Sequence, residues 1–455
     1  MKNKRSDIIL ILCDTLSANR MSLYGYKKNR TTPNLERLCA RKEFCLFKNS
    51  FTSSPWTIPS HASLFSGLYP SQHKTTGESF ETCILRKEVV TFPFLLKLKN
   101  YETFGISSNP LVSRDTGFDR GFDYFLNIPK KYSSYTNPLE FHTWVSKKRV
   151  LKNLKEDIKN PKFNKRYEVI LDSLFALFKF RSSVVQYSYP YTKKTFEIAL
   201  RILNRVSSPI FLFLNIMENH DKYTPPKRFR NRFKKYSDEE VKRQKWWKHY
   251  YKKELSDREK EVLNGLYDEE VAVVDEMLYD FLKKIEKMDK KRFDNSLILI
   301  LADHGEALGD WNHWGHNFSV YPDTTKVPLI IKFPKGMFTF KEIDQLVLLQ
   351  DLFAFFLEFV SFDIKSPSGS VSFLSSKRDF ALVQNYWGKW NEEFDDLKKD
   401  NFMAYILDEK DEFFYLIEEE KKKRIEVYKT HDFINMKKIP SADNIKNLCL
   451  DLKNV

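Results

Sequence analysis

The stretch DHGEALGDWNHWGH at 303–316 sets a carboxylate, Asp303, beside an imidazole, His304, at a turn ahead of Gly305. Hard oxygen and imidazole nitrogen at one corner suit a divalent cation. Taken alone, such a turn is as readily a cap or a simple reversal. A second turn of the same kind, Asp14-Thr15 after the run DIILILC, supplies another carboxylate. The third stretch, SSPWTIPSHASLFSGLYP at 53–70, puts the hydroxyl of Thr57 just ahead of Pro59, Ser60 and an apolar helical run. A helix N-terminus offers unpaired N–H groups and the positive end of its dipole to an anion. A phosphoryl or sulfuryl group would dock where Thr57 waits; the plainer alternative is that Thr57 or Ser60 only caps the helix.

Histidines are the remaining candidates for proton transfer. His220, in ENHDKYTPP, directly follows a hydrophobic run, and His316 closes the 303–316 stretch. An isolated histidine after a strand is more often a hydrogen-bonded loop residue, and it is the neighbouring polar clusters that make these two catalytic candidates. On the same reasoning His73 and His313 are weaker candidates, and Trp311 and Trp314 read as packing.

The elements that must position these groups are legible as an alternation of hydrophobic runs and amphipathic stretches, the pattern of an α/β fold with a mainly parallel sheet. Ile8 to Cys13, Phe211 to Ile216, Ser296 to Ala302 and Val327 to Phe333 read as strands buried on both faces. Three of them lead into polar clusters: Asp14, Glu218-Asn219-His220 and Asp303-His304. In open α/β sheets the ligand site lies beyond the carboxyl ends of the strands, so these clusters are expected to converge. Helices are expected over Thr32 to Lys42, Lys193 to Val206 and Asp257 to Met288, the last with Leu263, Leu266, Val271, Val274, Leu278 and Phe281 at helical spacing. Residues 130 to 200 read as an insertion over the sheet edge or the site. Beyond Lys335 a helical run near Asp344 to Val360 and strands around Ala381 to Gln384, Phe402 to Leu407 and Phe413 to Ile417 suggest a smaller subdomain.

The chain has 455 residues, 42% of them hydrophobic, enough for a sizeable core. Its apolar start, IILILC, is far shorter than a membrane span or a signal segment, and no later run reaches about 18 apolar residues. The cytoplasm is therefore the expected compartment. The 5 cysteines are scattered without zinc-ligand spacing and are expected to be free thiols. The net charge of +15 favours anionic partners but is spread along the chain as on a solvated surface. With no finger, helix-turn-helix or RNA-binding pattern, a nucleic-acid partner is not expected.

Taken together, DIILILCDT, TTPNLERL, PSHASLFSGLYP, TGFDRGFDYF, LYDEEVAVVDEML, DNSLILILADHGE and WGHNFSVYPDTTKVPLIIK resemble, in order, the landmarks of the sulfatase branch of the alkaline phosphatase superfamily. The resemblance implies a three-layer α/β/α sandwich with a large mixed sheet over residues 1–335 and a small C-terminal α+β subdomain over 336–455. It implies that Asp14, Asp303 and His304 hold one divalent metal ion (Mn, Zn, Mg or Ca), with the nucleophile Thr57 completing the shell. His220 and His316 would stand beside the leaving group, and Asn109 and His61 would face the substrate. Thr15 replaces a second aspartate of many relatives, Lys222 a proline, and His61 an arginine. Sulfatases of this branch oxidise a cysteine or serine at the nucleophile to formylglycine, which threonine cannot become, so no formylglycine is expected.

These readings favour a metal-dependent hydrolase of a phosphate mono- or diester, or a phosphoryl transferase, that uses Thr57. The alternatives are a sulfuric ester hydrolase on the same scaffold and a non-catalytic relative that binds an anionic ligand.

Overall fold

The computed structural model describes residues 5–79, 81–128, 189–207, 209–243, 255–316, 319–337, 340–386, 402–409, 412–419, 424–430 and 437–439. Most of the expected insertion at 130–200 lies outside the described residues; its described end belongs to a helix, Tyr189–Arg205, where one was expected over Lys193 to Val206.

Strands β1 (Ile8–Cys13), β2 (Phe44–Phe51), β3 (Glu102–Ser107), β4 (Tyr124–Asn127), β5 (Ile210–Ile216) and β6 (Leu297–Leu301) belong to one large sheet. Two short strands, β7 (Ala307–Leu308) and β8 (Trp314–Gly315), form a separate hairpin. Strands β9 (Leu329–Lys332) and β10 (Glu342–Leu348) complete the large sheet, whose 8 strands run in the order β10-β2-β9-β6-β1-β5-β3-β4. β9 alone runs against its neighbours β2 and β6; the other pairings are parallel. The sheet is thus mainly parallel and mixed, as expected. β1, β5 and β6 consist almost wholly of Ile, Leu and Phe and are fully buried. That is the composition of strands covered by helices on both faces.

The long helix Asp257–Met288 spans the expected limits. Its first turn is closed by a capping box in which Ser256 accepts from the Glu259 N–H and the Glu259 carboxylate accepts from the Ser256 N–H. Its apolar stripe, including Leu263, Leu266, Val274, Leu278 and Phe281, lies in the main core.

The helix expected over Asp344 to Val360 is corrected. Glu342–Leu348 is an edge strand paired in parallel with β2, and only Asp351–Phe359 is helical. A short apolar run fits either period, and here the open edge of β2 decided the outcome. Val347 enters the main core while Leu346 and Leu348 enter a second one, the alternation of a strand.

That second core joins the large sheet to a smaller antiparallel one. β11 (Phe380–Asn385), β12 (Phe402–Glu409), β13 (Glu412–Glu419), β14 (Arg424–Thr430) and β15 (Lys437–Ile439) pair in sequence order. Ala381, Val383, Ala404, Ile406, Tyr415 and Ile417 meet Phe51, Leu346 and Leu348 across the junction. The three strand-like pieces expected in this part of the chain are β11, β12 and β13. No helix among the described residues is long and apolar enough to cross a membrane.

Candidate functional site

Strand order brings the sequence's polar clusters together. β6 and β5 flank β1 in parallel register. Asp14, Asp303 and the Glu218–His220 segment therefore leave the sheet at the same edge, beyond its carboxyl ends. Asn109 follows β3, the next strand out. Thr57 begins the helix Thr57–Ser66 after β2, and every residue of that helix is buried.

Asp14, Asp303 and His304 each show 0% exposure, and one donor atom of each lies within 4.8 Å of the others. Each side chain has one atom pinned and one directed inward. Asp14 Oδ2 accepts from Asn109 Nδ2 at 2.6 Å, and Asp14 Oδ1 accepts no hydrogen bond. Asp303 Oδ1 accepts from the backbone N–H of His304 at 3.0 Å and of Thr15 at 3.3 Å, and Asp303 Oδ2 accepts none. His304 Nδ1 lies 2.9 Å from the Gly305 carbonyl, which as an acceptor fixes the proton on Nδ1 and leaves Nε2 with its lone pair. That Nε2 stands 3.4 Å from Asp303 Oδ2, 3.9 Å from Asp14 Oδ1 and 3.5 Å from Thr57 Oγ1. Atoms bound at about 2.0–2.2 Å to one ion would themselves stand about 3–4 Å apart.

Burial explains the electrostatics. It pushes the Asp303 carboxyl well above the carboxylate range, with the charge of Asp14 adding to the effect. It holds His304 well below the ordinary imidazole value, with His316 next in importance. Two buried carboxylates, each with an unsatisfied oxygen, are costly without a compensating positive charge. These residues fit a divalent cation.

Thr57 sits at the edge of this cluster, with Asn109 Nδ2 at 3.5 Å from its hydroxyl. His61, one helical turn on, directs Nδ1 at the Thr57 carbonyl (2.8 Å) and Nε2 at Asn215 Nδ2 (3.2 Å). Its ring stands edge-on to Phe65, Phe118 and Phe213. Burial in that setting lowers its pKa to about 4, so the ring is neutral and braces the helix start. Thr15 adopts a left-handed backbone conformation, φ 58°, unusual for a β-branched residue. Its hydroxyl donates to the Asp14 carbonyl at 2.7 Å and its own carbonyl accepts from Tyr267 at 2.6 Å.

His220 and His316 stand at the rim rather than in the buried centre, with side-chain exposures of 12% and 16%. The His316 ring lies 4.6 Å from that of His304 and 5.1 Å from that of His220. His220 Nδ1 faces Asp221, and His316 Nδ1 faces Glu306 at 3.0 Å. All of the expected site residues thus gather in one place. His73 does not: it is bound to Ser63 at 3.0 Å beneath the helix. Trp311 and His313 each pack against Tyr321, and Trp314 packs on Gly309.

Sequence reasoning missed Asn215, Glu306, Tyr223 and Tyr267. Asn215 carried a signal, being the single polar residue in the run Ile210–Met217.

The family model described as Sulfatase matches residues 6–361. An uncharacterized sulfatase, YidJ, of Escherichia coli (strain K12) is 23% identical over 360 residues, which are 73% of this chain and 64% of that one. The chain therefore spans a little under two thirds of that relative's length. Among solved structures, one described as a 2-O GAG sulfatase has a TM-score of 0.66 at 14% identity, over 99% of this chain and 91% of that one. The phosphonate monoester hydrolase of Agrobacterium radiobacter has a TM-score of 0.62 at 16% identity, over 92% and 90% of the two chains. The chain belongs to the Sulfatase family.

Proposed function

We propose that this protein is a metal-dependent hydrolase of phosphate mono- or diesters, with Thr57 as nucleophile and Asp14, Asp303 and His304 as metal ligands. One observation carries the reading. Two carboxylate oxygens that accept no hydrogen bond converge at 0% exposure with His304 Nε2, and the Thr57 hydroxyl stands 3.5 Å from that nitrogen. A divalent cation held there would acidify the threonine hydroxyl and draw charge from the substrate's oxygens.

The chain's own residues supply the rest. The Thr57 oxygen attacks phosphorus from the start of a buried helix, where the helix dipole favours an anion. Asn109 reaches both Asp14 and Thr57 and holds nucleophile and ligand in register. His220 or His316, at the rim, protonates the leaving oxygen, a task typically worth about 10²–10⁴-fold. Water then releases the phosphoryl group from Thr57, or an acceptor alcohol takes it.

A sulfuric ester substrate is the second reading, favoured by the relatives named as sulfatases. Threonine at the nucleophile position, with no route to formylglycine, weighs against it. Metal-supplemented screening of phosphate, phosphonate and sulfate esters against wild type and Thr57→Ala separates the two. Phosphoester turnover lost in Thr57→Ala is expected, and turnover of sulfate esters alone would overturn the preference.

A further inference from the structure

The geometry points to Glu306 as the positioning residue for His316, fixing the ring so that its Nε2 serves the leaving oxygen. The inference rests on the ester-hydrolase reading of the site.

Glu306 follows His304 by two residues and is 1% exposed, so a carboxylate has been buried beside the candidate metal turn. Both of its oxygens are engaged. Oε1 lies 3.0 Å from His316 Nδ1, and Oε2 accepts from the Tyr223 hydroxyl at 2.9 Å. Tyr223 is fully buried and stands edge-on to Tyr267, whose hydroxyl bonds the Thr15 carbonyl. The carboxylate is thereby held from behind and offers one oxygen to one histidine.

The hairpin β7–β8 explains how residues ten apart come to face each other. Ala307 pairs with Gly315 and Leu308 with Trp314, so the next step of the antiparallel register sets Glu306 opposite His316. Gly309, at φ 96°, makes the reversal, and its N–H donates to the His313 carbonyl at 2.9 Å. The ligand His304 and the rim histidine His316 are thus the two ends of one short, hydrogen-bonded unit.

With Nδ1 committed to Glu306, Nε2 is the nitrogen left for the substrate. Thr57 first yields its hydroxyl proton to water; as the bond from its oxygen to phosphorus or sulfur then forms and the bond to the leaving oxygen breaks, a doubly protonated His316 ring passes its Nε2 proton to that oxygen. The ring ends neutral, with its Nδ1–H still donating to Glu306. A carboxylate serving only to fill space would not tie its effect to the leaving group.

The test measures kcat and KM of Glu306→Gln, His316→Gln and the double variant on phosphate or sulfate esters whose leaving alcohols span nitrophenol to simple alkyl alcohols. The loss of kcat in Glu306→Gln is expected to grow along the series, from a few-fold for nitrophenyl to about 30-fold or more for alkyl esters. KM should stay within about two-fold, and the double variant should be no worse than His316→Gln. Tyr223→Phe should give the same trend, attenuated. Equal loss for every leaving group, or losses that multiply in the double variant, would overturn the proposal. Nitrogen-15 spectra of histidine-labelled, metal-loaded protein read the same claim without turnover: the neutral form of His316 should carry its proton on Nδ1 in wild type and on either nitrogen in Glu306→Leu. If wild type turns over no ester, the hydrolase reading fails on its own, and an unchanged His316 signal in Glu306→Leu defeats the positioning role independently.

Discussion

At the residue scale, the site pins one atom of each proposed ligand and leaves the other directed at a common centre. Asn109 is the clearest case, because its amide holds Asp14 Oδ2 at 2.6 Å and thereby turns Oδ1 inward. Asn109→Ala should weaken metal binding by about 10-fold, in the range of other groups that orient metal ligands. Calorimetric titration with Mn²⁺ or Zn²⁺ checks this, and an unchanged affinity would remove Asn109 from the positioning role. Thr57→Ala should lower kcat by about 10³-fold or more while metal content persists, since the proposed nucleophile is lost and the three proposed ligands remain. The candidate ligands and nucleophile were legible in the sequence because several polar turns, each ambiguous alone, follow hydrophobic runs in the order of a known family's landmarks. Glu306 was not: its meaning depends on His316 and Tyr223, and only the folded hairpin brings those three side chains together.

At the element scale, turns and caps set the precision of the site. Gly305 leaves no room for a side chain, because an added Cβ would meet the Asp323 carbonyl oxygen at 2.1 Å. Gly305→Ala should destabilise the fold by about 1–3 kcal/mol, as overpacking does, and weaken metal binding through the displaced turn. Urea unfolding and metal titration read the two effects. Ser256→Ala removes the cap of the long helix, remote from the site, and should cost about 1 kcal/mol with kcat unchanged. The long helix and the strands β1, β5 and β6 were readable because their period or uniform apolarity persists over their whole length. Asp344 to Leu348, most of β10, was misread as helix because a short apolar run satisfies both periods, and its partner β2, nearly three hundred residues earlier, decides between them. β2 itself, FCLFKNSF, was not singled out, since a lysine and an asparagine interrupt its apolar run.

At the scale of the whole molecule, one mainly parallel sheet collects the candidate functional groups at its carboxyl ends, and a second core ties it to the antiparallel sheet. Sequence alternation made the first legible and hinted at the second through three of its five strands. The molecule also carries buried acids that make its stability depend on pH. Asp323 is fully buried, and burial, reinforced by Asp310 and opposed by Arg20, raises its pKa to about 8. A carboxyl raised on folding contributes stability below its unfolded pKa of about 4, and that contribution is lost as pH rises through about 8. Asp323→Asn keeps an oxygen for the Thr324 N–H, which Asp323 Oδ1 accepts at 3.0 Å. Its melting temperature should therefore gain on wild type between pH 6 and 9, and a constant difference across that window would contradict the assignment.

The central claim is that Asp14, Asp303 and His304 jointly hold one divalent cation against Thr57. Elemental analysis of the purified, extensively dialysed protein after exposure to Mn²⁺ or Zn²⁺ tests it most directly, with Asp303→Ala as the comparison. About one metal ion per chain in wild type and almost none in a folded Asp303→Ala is the result expected. A folded wild type that retains no metal, or an Asp303→Ala variant that retains as much as wild type, would contradict it.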